Sequence, residues 1–261
     1  MSHSPKHIFI TGGASGIGLQ LAREYVRSGC PVTLFDIQPA EQALEALSAI
    51  PGGGAVRAFR MDVSDPASVR DAFAEAVAEA APDLVVNCAG ICLAAPFEAT
   101  DDEAYARIIN INLLGSRHVA AAALPHLRAG SQLVLIASMA GLVGCYGYSA
   151  YCASKYGVVG LAEVLRIELA PRGVAVSVVC PPEVETPMIE EERKNRPKQT
   201  ATMKKMAGTL PVDYAVARIR RGIERRRFMI IPGKRARMLS LTNRLLPGGF
   251  TRWLASFLAA R

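Results

Sequence analysis

The chain predicts an α/β fold: one doubly wound parallel sheet of about seven strands, with helices on both faces. Three observations lead there. Short apolar, β-branched runs alternate with helical stretches from His7 to Cys180, the pattern of strands joined by right-handed helical crossovers. The first run leads straight into the glycine loop TGGASGIG and then a helix. No linker interrupts the 261 residues, a length that one domain accommodates.

The elements follow in order. HIFIT (His7 to Thr11) is a buried strand, and a helix from about Ile17 to Ser28 stops at Gly29. PVTLFD is a second strand ending at Asp36, followed by an Ala, Leu and Glu-rich helix and the glycine turn Gly52 to Gly54. AVRAFRMDV is a third strand, Pro66 opens a helix, and DLVVNCAG is a fourth strand. A long helical region covers Asp101 to Leu127, then come QLVLIAS as a fifth strand, the helix holding Tyr151, and VAVSVVC as a sixth. Beyond Cys180, PPEVETPMIEEERKNRPKQTATMKK is polar with few apolar anchors and reads as a flexible lid. PVDYAVARIRRGIERRR is a last helix, FMIIP a last strand, and RMLSLTNRLLPGGFTRWLASFL an apolar and basic tail. The expected division is 1–184 as core, 185–212 as lid, 213–236 as last helix and strand, and 237–261 as tail.

Hydrophobic residues make up 51% and charged residues 20%, ample for a core and unlike a disordered chain. The six cysteines form no C-x-x-C pair and mostly sit in apolar runs, as buried free thiols do. MSHSPK lacks the apolar stretch of a signal peptide, and no run reaches membrane-spanning length, so a cytoplasmic location is expected. The four histidines show no zinc-like grouping, so no metal is expected. The net charge of +7 is uneven: residues 217–261 hold twelve Lys or Arg against the single Glu224, which makes +11 there and −4 elsewhere. A solvated helix face explains that excess as well as an anionic partner does, and no nucleic acid is expected.

Thr11, Gly12, Ser15, Gly16, Ile17 and Gly18 stand between the first strand and its helix. Glycines permit a tight turn and close backbone approach, while first-turn amides and the helix dipole attract the pyrophosphate of a dinucleotide. Asp36 follows about 20 residues on, where a carboxylate accepts hydrogen bonds from ribose hydroxyls. Neither Ala14, Ser15 nor Ile37 offers a cation for a 2′-phosphate, so NAD(H) is favoured over NADP(H). Asp62 and Val63 after the third strand, and Asn87, Ala89 and Gly90 at the end of the fourth, should border the adenosine, since ligands lie beyond the carboxyl ends of parallel strands.

Tyr151 and Lys155 are four residues apart and share a helix face, after a strand whose carboxyl end carries Ser138. A lysine charge favours phenolate and should lower the tyrosine pKa toward a value useful for proton transfer. With a dinucleotide beside them, these groups suit hydride chemistry.

At these residues the chain resembles the short-chain dehydrogenases and reductases, Rossmann-type enzymes, over nearly its whole length. TGGASGIG corresponds to that family's glycine loop, NCAG to its Asn-Asn-Ala-Gly motif with Cys88 in second place, and INLLG to the segment holding a catalytic asparagine, here Asn112. The resemblance implies Tyr151 as general acid or base, Ser138 as hydrogen-bond donor to the substrate oxygen, Lys155 on the nicotinamide ribose, and Asn112 holding a water for proton transfer. It further implies that Thr186 and Val184 contact the nicotinamide carboxamide. The family's Pro-Gly is Pro181 and Pro182 here, which alters the loop beside the ring. It also implies a homodimer or homotetramer.

Ile91, Cys92, Leu93, Leu142, Val143, Cys145 and Tyr146 should line a greasy site for a hydrophobic secondary alcohol or ketone. The run PPEVETPMIEEERKNRPKQT is similar to the same segment of the 3-ketodihydrosphingosine reductases. That resemblance implies a long-chain lipid ketone and NADPH, the runner-up, because Asp36 points to NAD. A non-catalytic NAD-binding regulator is a further alternative, disfavoured by the complete set of catalytic residues. In the tail, Leu239, Leu241, Leu245, Leu246, Phe250, Trp253, Leu254, Phe257 and Leu258 are edged by Arg237, Arg244 and Arg252. It either packs on the domain or on a partner subunit, the favoured reading, or makes peripheral membrane contact.

Overall fold

The structure, a computed structural model, describes residues 7–245. In order come β1 (Ile8–Thr11), α1 (Gly16–Arg27), β2 (Val32–Asp36), α2 (Glu41–Ser48), β3 (Val56–Arg60), α3 (Pro66–Glu79), β4 (Leu84–Asn87), α4 (Asp102–Ile109), α5 (Gly115–Ala123), β5 (Gln132–Ile136), α6 (Ser149–Leu169) and β6 (Ala175–Val179). Then follow β7 (Glu183–Val184), α7 (Pro187–Lys194), α8 (Lys198–Ala207), β8 (Thr209–Leu210), α9 (Val212–Glu224), β9 (Met229–Ile230) and α10 (Lys234–Leu245). Seven strands form one parallel sheet, as the sequence predicts, and the structure gives their order as β3-β2-β1-β4-β5-β6-β9.

Alternation along the strands divides the core in two. Ile8 and Ile10 of β1 join Leu21 and Tyr25 of α1 and Ile219 of α9 on one face, while Phe9 joins Phe73 of α3, Val119 of α5 and Val158 of α6 on the other. Phe35 and Phe73 stack with ring centroids 5.1 Å apart. Helix starts are explicit too: Asp65 caps α3, accepting from Ala67 N–H at 2.8 Å with Pro66 in the first turn, and Asp101 caps α4, accepting from Ala104 N–H at 2.7 Å.

Strand order reverses between β1 and β4, so the loops at their carboxyl ends part there and open a crevice. All predicted site loops reach this edge.

Two features depart from the sequence reading. The helical region from Asp101 is broken by a π-turn over Asn110–Leu114, where Gly115 N–H donates to Asn110 O, five residues back. The expected flexible lid is largely helical, as α7 and α8, tied below by the two-stranded β7-β8 sheet. Its anchors are polar instead of apolar, Glu192 and Thr200 above all, which hides them from a hydrophobic periodicity. In the tail, α10 exposes Met238, Leu241 and Leu245; Leu246, Phe250, Trp253, Leu254, Phe257 and Leu258 lie outside the described residues. Among the described residues no helix is long and apolar enough to cross a membrane.

Candidate active site

A cleft of about 430 Å³ opens at the carboxyl edge of the sheet. At its floor, Ser15 precedes α1 without capping it by its side chain, so the N–H groups of Gly16, Ile17 and Gly18 are left for an anion. Gly12 has φ +62° and a Cβ there would stand 2.8 Å from Ala89 N; a Cβ on Gly18 would collide with the Gly12 carbonyl. This cradle fits a pyrophosphate.

Asp36, Ile37, Asp62 and Val63 line the far end, and Ala89, Gly90, Pro181, Val184 and Thr186 line the near one. The Asp36 carboxylate accepts from Ala14 N–H through one oxygen and from Gln38 N–H through the other, each at 3.0 Å. Each oxygen keeps a lone pair for a ribose hydroxyl. Arg107 of α4 lines the same cleft, and Arg60 is the register neighbour of Asp36 on β3, two cations that the sequence reading did not connect with the cofactor.

Thr11 and Asn87 are buried behind the wall. Thr11 Oγ1 donates to Asn87 Oδ1 at 2.5 Å and accepts from Ala89 N–H at 3.2 Å, while Asn87 donates to Ser116 Oγ at 2.9 Å. They shape the strand end that the cleft exposes.

Ser138, Tyr151 and Lys155 converge on the cleft. Ser138 follows β5, takes an extended backbone (φ −167°) and accepts from Ala140 N–H at 3.1 Å, leaving its O–H to donate. Lys155 is buried, donates to Ile136 O at 3.0 Å and lies 5.6 Å from the centroid of the Tyr151 ring. Asn112 stands one layer deeper. The π-turn aims its amide at residue 91, accepting from Ile91 N–H at 2.8 Å and donating to Ile91 O at 2.9 Å and Ser154 Oγ at 3.1 Å. A side chain on Gly90 would come within 3.0 Å of Asn112 Oδ1 and 3.5 Å of Lys155 Nζ, so glycine keeps these two polar groups close.

Burial pushes the Tyr151 phenol well above its ordinary range, with the nearby Cys92 thiol adding to the rise and the hydrogen bond from Ser138 opposing it. That is opposite to the direction expected from the Tyr151 and Lys155 spacing. Lys155 is itself brought down to about 8 by burial, and its ammonium is turned to a backbone carbonyl. The phenol is therefore held protonated, as a proton donor requires.

Beside this cleft lies a cavity of about 350 Å³ between the 139–145 segment, α8 and α10. Met139, Val143, Met203, Met206, Met238 and Leu239 supply much of its wall, and it shares Ser138, Tyr148, Pro182, Glu183 and Lys204 with the cleft. Of the residues expected to form a greasy wall, Ile91 and Cys92 face the cleft and Val143 and Cys145 the cavity. Leu142 packs against the core, Leu93 is exposed, and Tyr146 hands its carbonyl to Thr200 Oγ1 at 2.8 Å.

The sequence reading missed the charged cluster at the junction. Glu183, Glu192, Arg193, Arg196, Lys204 and Tyr148 join there, with Lys204 Nζ 2.6 Å from Glu183 Oε2 and 2.8 Å from Tyr148 Oη. Glu192 and Arg196 at helical spacing were the available signal. Among the described residues no group of three or more His, Cys, Asp or Glu is placed to hold a metal.

Comparison with known proteins adds an independent line. A family model described as short chain dehydrogenase matches residues 6–197. The chain is 33% identical to a 3-dehydrosphinganine reductase, TSC10B, of Arabidopsis thaliana over 96% of its own length and 76% of that protein's. It is 33% identical to a 3-dehydrosphinganine reductase of Danio rerio over 77% of its own length, spanning 63% of that relative. Among solved structures, gox2181 superposes with a TM-score of 0.75 at 26% identity, covering 84% of this chain and 88% of the other.

Proposed function

Since the chain belongs to the short-chain dehydrogenase family, as an oxidoreductase acting at CH–OH groups with NAD(P), we propose that it reduces a long-chain lipid ketone. The observation that carries this reading is the methionine-rich cavity opening beside Ser138. Methionines adapt to an unbranched chain without a fixed shape. The named relatives favour a long-chain amino ketone such as 3-dehydrosphinganine over the broader class of hydrophobic ketones.

In this reading Tyr151 donates its phenolic proton to the carbonyl oxygen while Ser138 hydrogen-bonds that oxygen and stabilises its developing charge. The dinucleotide, when bound, supplies the hydride that the carbonyl carbon accepts. Gly16, Ile17 and Gly18 would hold its pyrophosphate by their N–H groups, Asp36 its adenosine ribose, and Lys155 its nicotinamide ribose. Asn112 holds the wall at Ile91 and a water through which Lys155 returns a proton to Tyr151.

Asp36 supports NAD(H) as the cofactor. A second reading, NADP(H), is favoured by Arg107 lining the cleft and Arg60 beside Asp36. The exposed apolar residues of α10, flanked by Lys234, Arg235 and Arg237, support peripheral contact with an anionic membrane as the route by which a lipid arrives.

A homologous series of straight-chain 3-ketones tests the substrate class. Each methylene seated in the cavity contributes ~0.8 kcal/mol, so kcat/KM should rise about fourfold per carbon until the cavity is filled. A rate independent of chain length would refute the reading.

A further inference from the structure

The cluster at the junction of cleft and cavity has unequal hydrogen-bonding capacity. A carboxylate offers about four lone-pair positions. Those of Glu183 are taken by Arg193 through two nitrogens, Thr209 Oγ1 at 3.2 Å, Arg196 at 2.6 Å and Lys204 at 2.6 Å. Those of Glu192 are taken by Tyr148 Oη at 2.7 Å and by Arg196 on both oxygens. Neither acid has an acceptor position left for a ligand.

Lys204 differs. Its ammonium has three N–H groups, and two go to Glu183 Oε2 and Tyr148 Oη. For the third, Glu192 Oε2 lies no nearer than 3.5 Å. Lys204 lines both the cleft and the cavity, its Nζ 5.3 Å from the centroid of the Tyr148 ring, which in turn meets the Tyr151 ring at a tilt of 60° with centroids 5.2 Å apart. Three cations against two carboxylates also leave the cluster with an excess positive charge, which disfavours a ligand ammonium there. At this cluster the two acids are saturated, while Lys204 keeps a donor.

We propose that Lys204 is a specificity-determining residue that donates its third N–H to a lone pair on a hydroxyl or uncharged amine beside the substrate carbonyl. This rests on the long-chain ketone reading above. 3-Dehydrosphinganine carries such groups, a hydroxyl and an amine on the side of the carbonyl away from its chain. With the carbonyl at Ser138 and the chain among the methionines, those groups fall at the seam where Lys204 stands.

The test uses four octadecan-3-ones with the intact protein: one bearing both hydroxyl and amine, one the hydroxyl alone, one the amine alone, and one neither. The ratio of kcat/KM between a substituted and the bare ketone is the readout. Lys204→Met should lower that ratio by about ten- to a hundredfold, the range for a hydrogen bond from a charged donor, and Lys204→Arg should restore much of it. The substituent whose ratio collapses identifies the group recognised. Met is accommodated because Glu183 retains Arg193 and Arg196, and Tyr148 retains Glu192; melting temperature and dinucleotide binding check this. An active wild type whose ratio survives in Lys204→Met overturns this proposal alone. A wild type inert toward all four ketones overturns the substrate reading and this proposal with it.

Discussion

Replacing Glu183 by Gln would strip the junction cluster of the carboxylate that ties β7, α7 and α8 together. Its side chain is only 3% exposed. Burial pushes the carboxyl up, but hydrogen bonds from Lys204 and Arg193 and the charges of Lys204 and Arg196 outweigh it and hold the group at about 2, against an ordinary 4.5. Holding the carboxyl at about 2 instead of 4.5 corresponds to ~3 kcal/mol, similar to the ~3–5 kcal/mol for removing one partner of a buried pair. A lowered carboxylate contributes stability above its unfolded pKa and loses it as pH falls through its folded one. The benefit is therefore full at pH 7 and should shrink to half or less by about pH 3. Thermal unfolding of wild type and Glu183→Gln reads this directly. At pH 7 the variant should melt about 6–12 °C lower, and the gap should narrow steadily toward pH 3. A gap under about 2 °C at pH 7, or one that does not change with pH, would refute the reasoning.

Two further outcomes address the chemical site. Tyr151→Phe should lower kcat by about 10²–10⁴ while leaving dinucleotide binding measurable by nicotinamide fluorescence; full turnover would remove the phenol from the proton transfer. Asp36→Ala combined with Ile37→Arg should move the kcat/KM preference toward NADPH, and an unmoved ratio would show that the carboxylate does not select the cofactor.

The alternation of strands with helices and the glycine cradle were legible because each depends on local pattern. β-Branched runs, a Gly-rich turn and helix caps such as Asp65 and Asp101 act within a few residues of themselves. Ser138, Tyr151 and Lys155 were legible for a related reason, since a strand end and a helix face carry them to one edge. What escaped is non-local. Nothing near Glu183 shows that Lys204 and Thr209 will reach it, and the segment between lacks the apolar period by which helices are usually found. Its anchors are Glu192, buried and salt-bridged, and Thr200, buried against the Tyr146 carbonyl. The tyrosine pKa failed for a different cause: helical spacing gave the Tyr151 and Lys155 adjacency, but desolvation, which no sequence spacing reports, sets the direction.

The widened turn at Asn110–Leu114 also constrains how this chain can change. It is a phase shifter inserted in a continuous rod: α4 before it packs on α6, α5 after it packs on α3, and the extra residue lets both halves keep their own apolar stripe inward. Losing or gaining one residue there would rotate one half against the other by about 100°. Asn112 would swing away from Ile91, and Val119 and Ala123 would turn out of the core together. Length variation is thereby barred from this stretch, where a surface loop would absorb it.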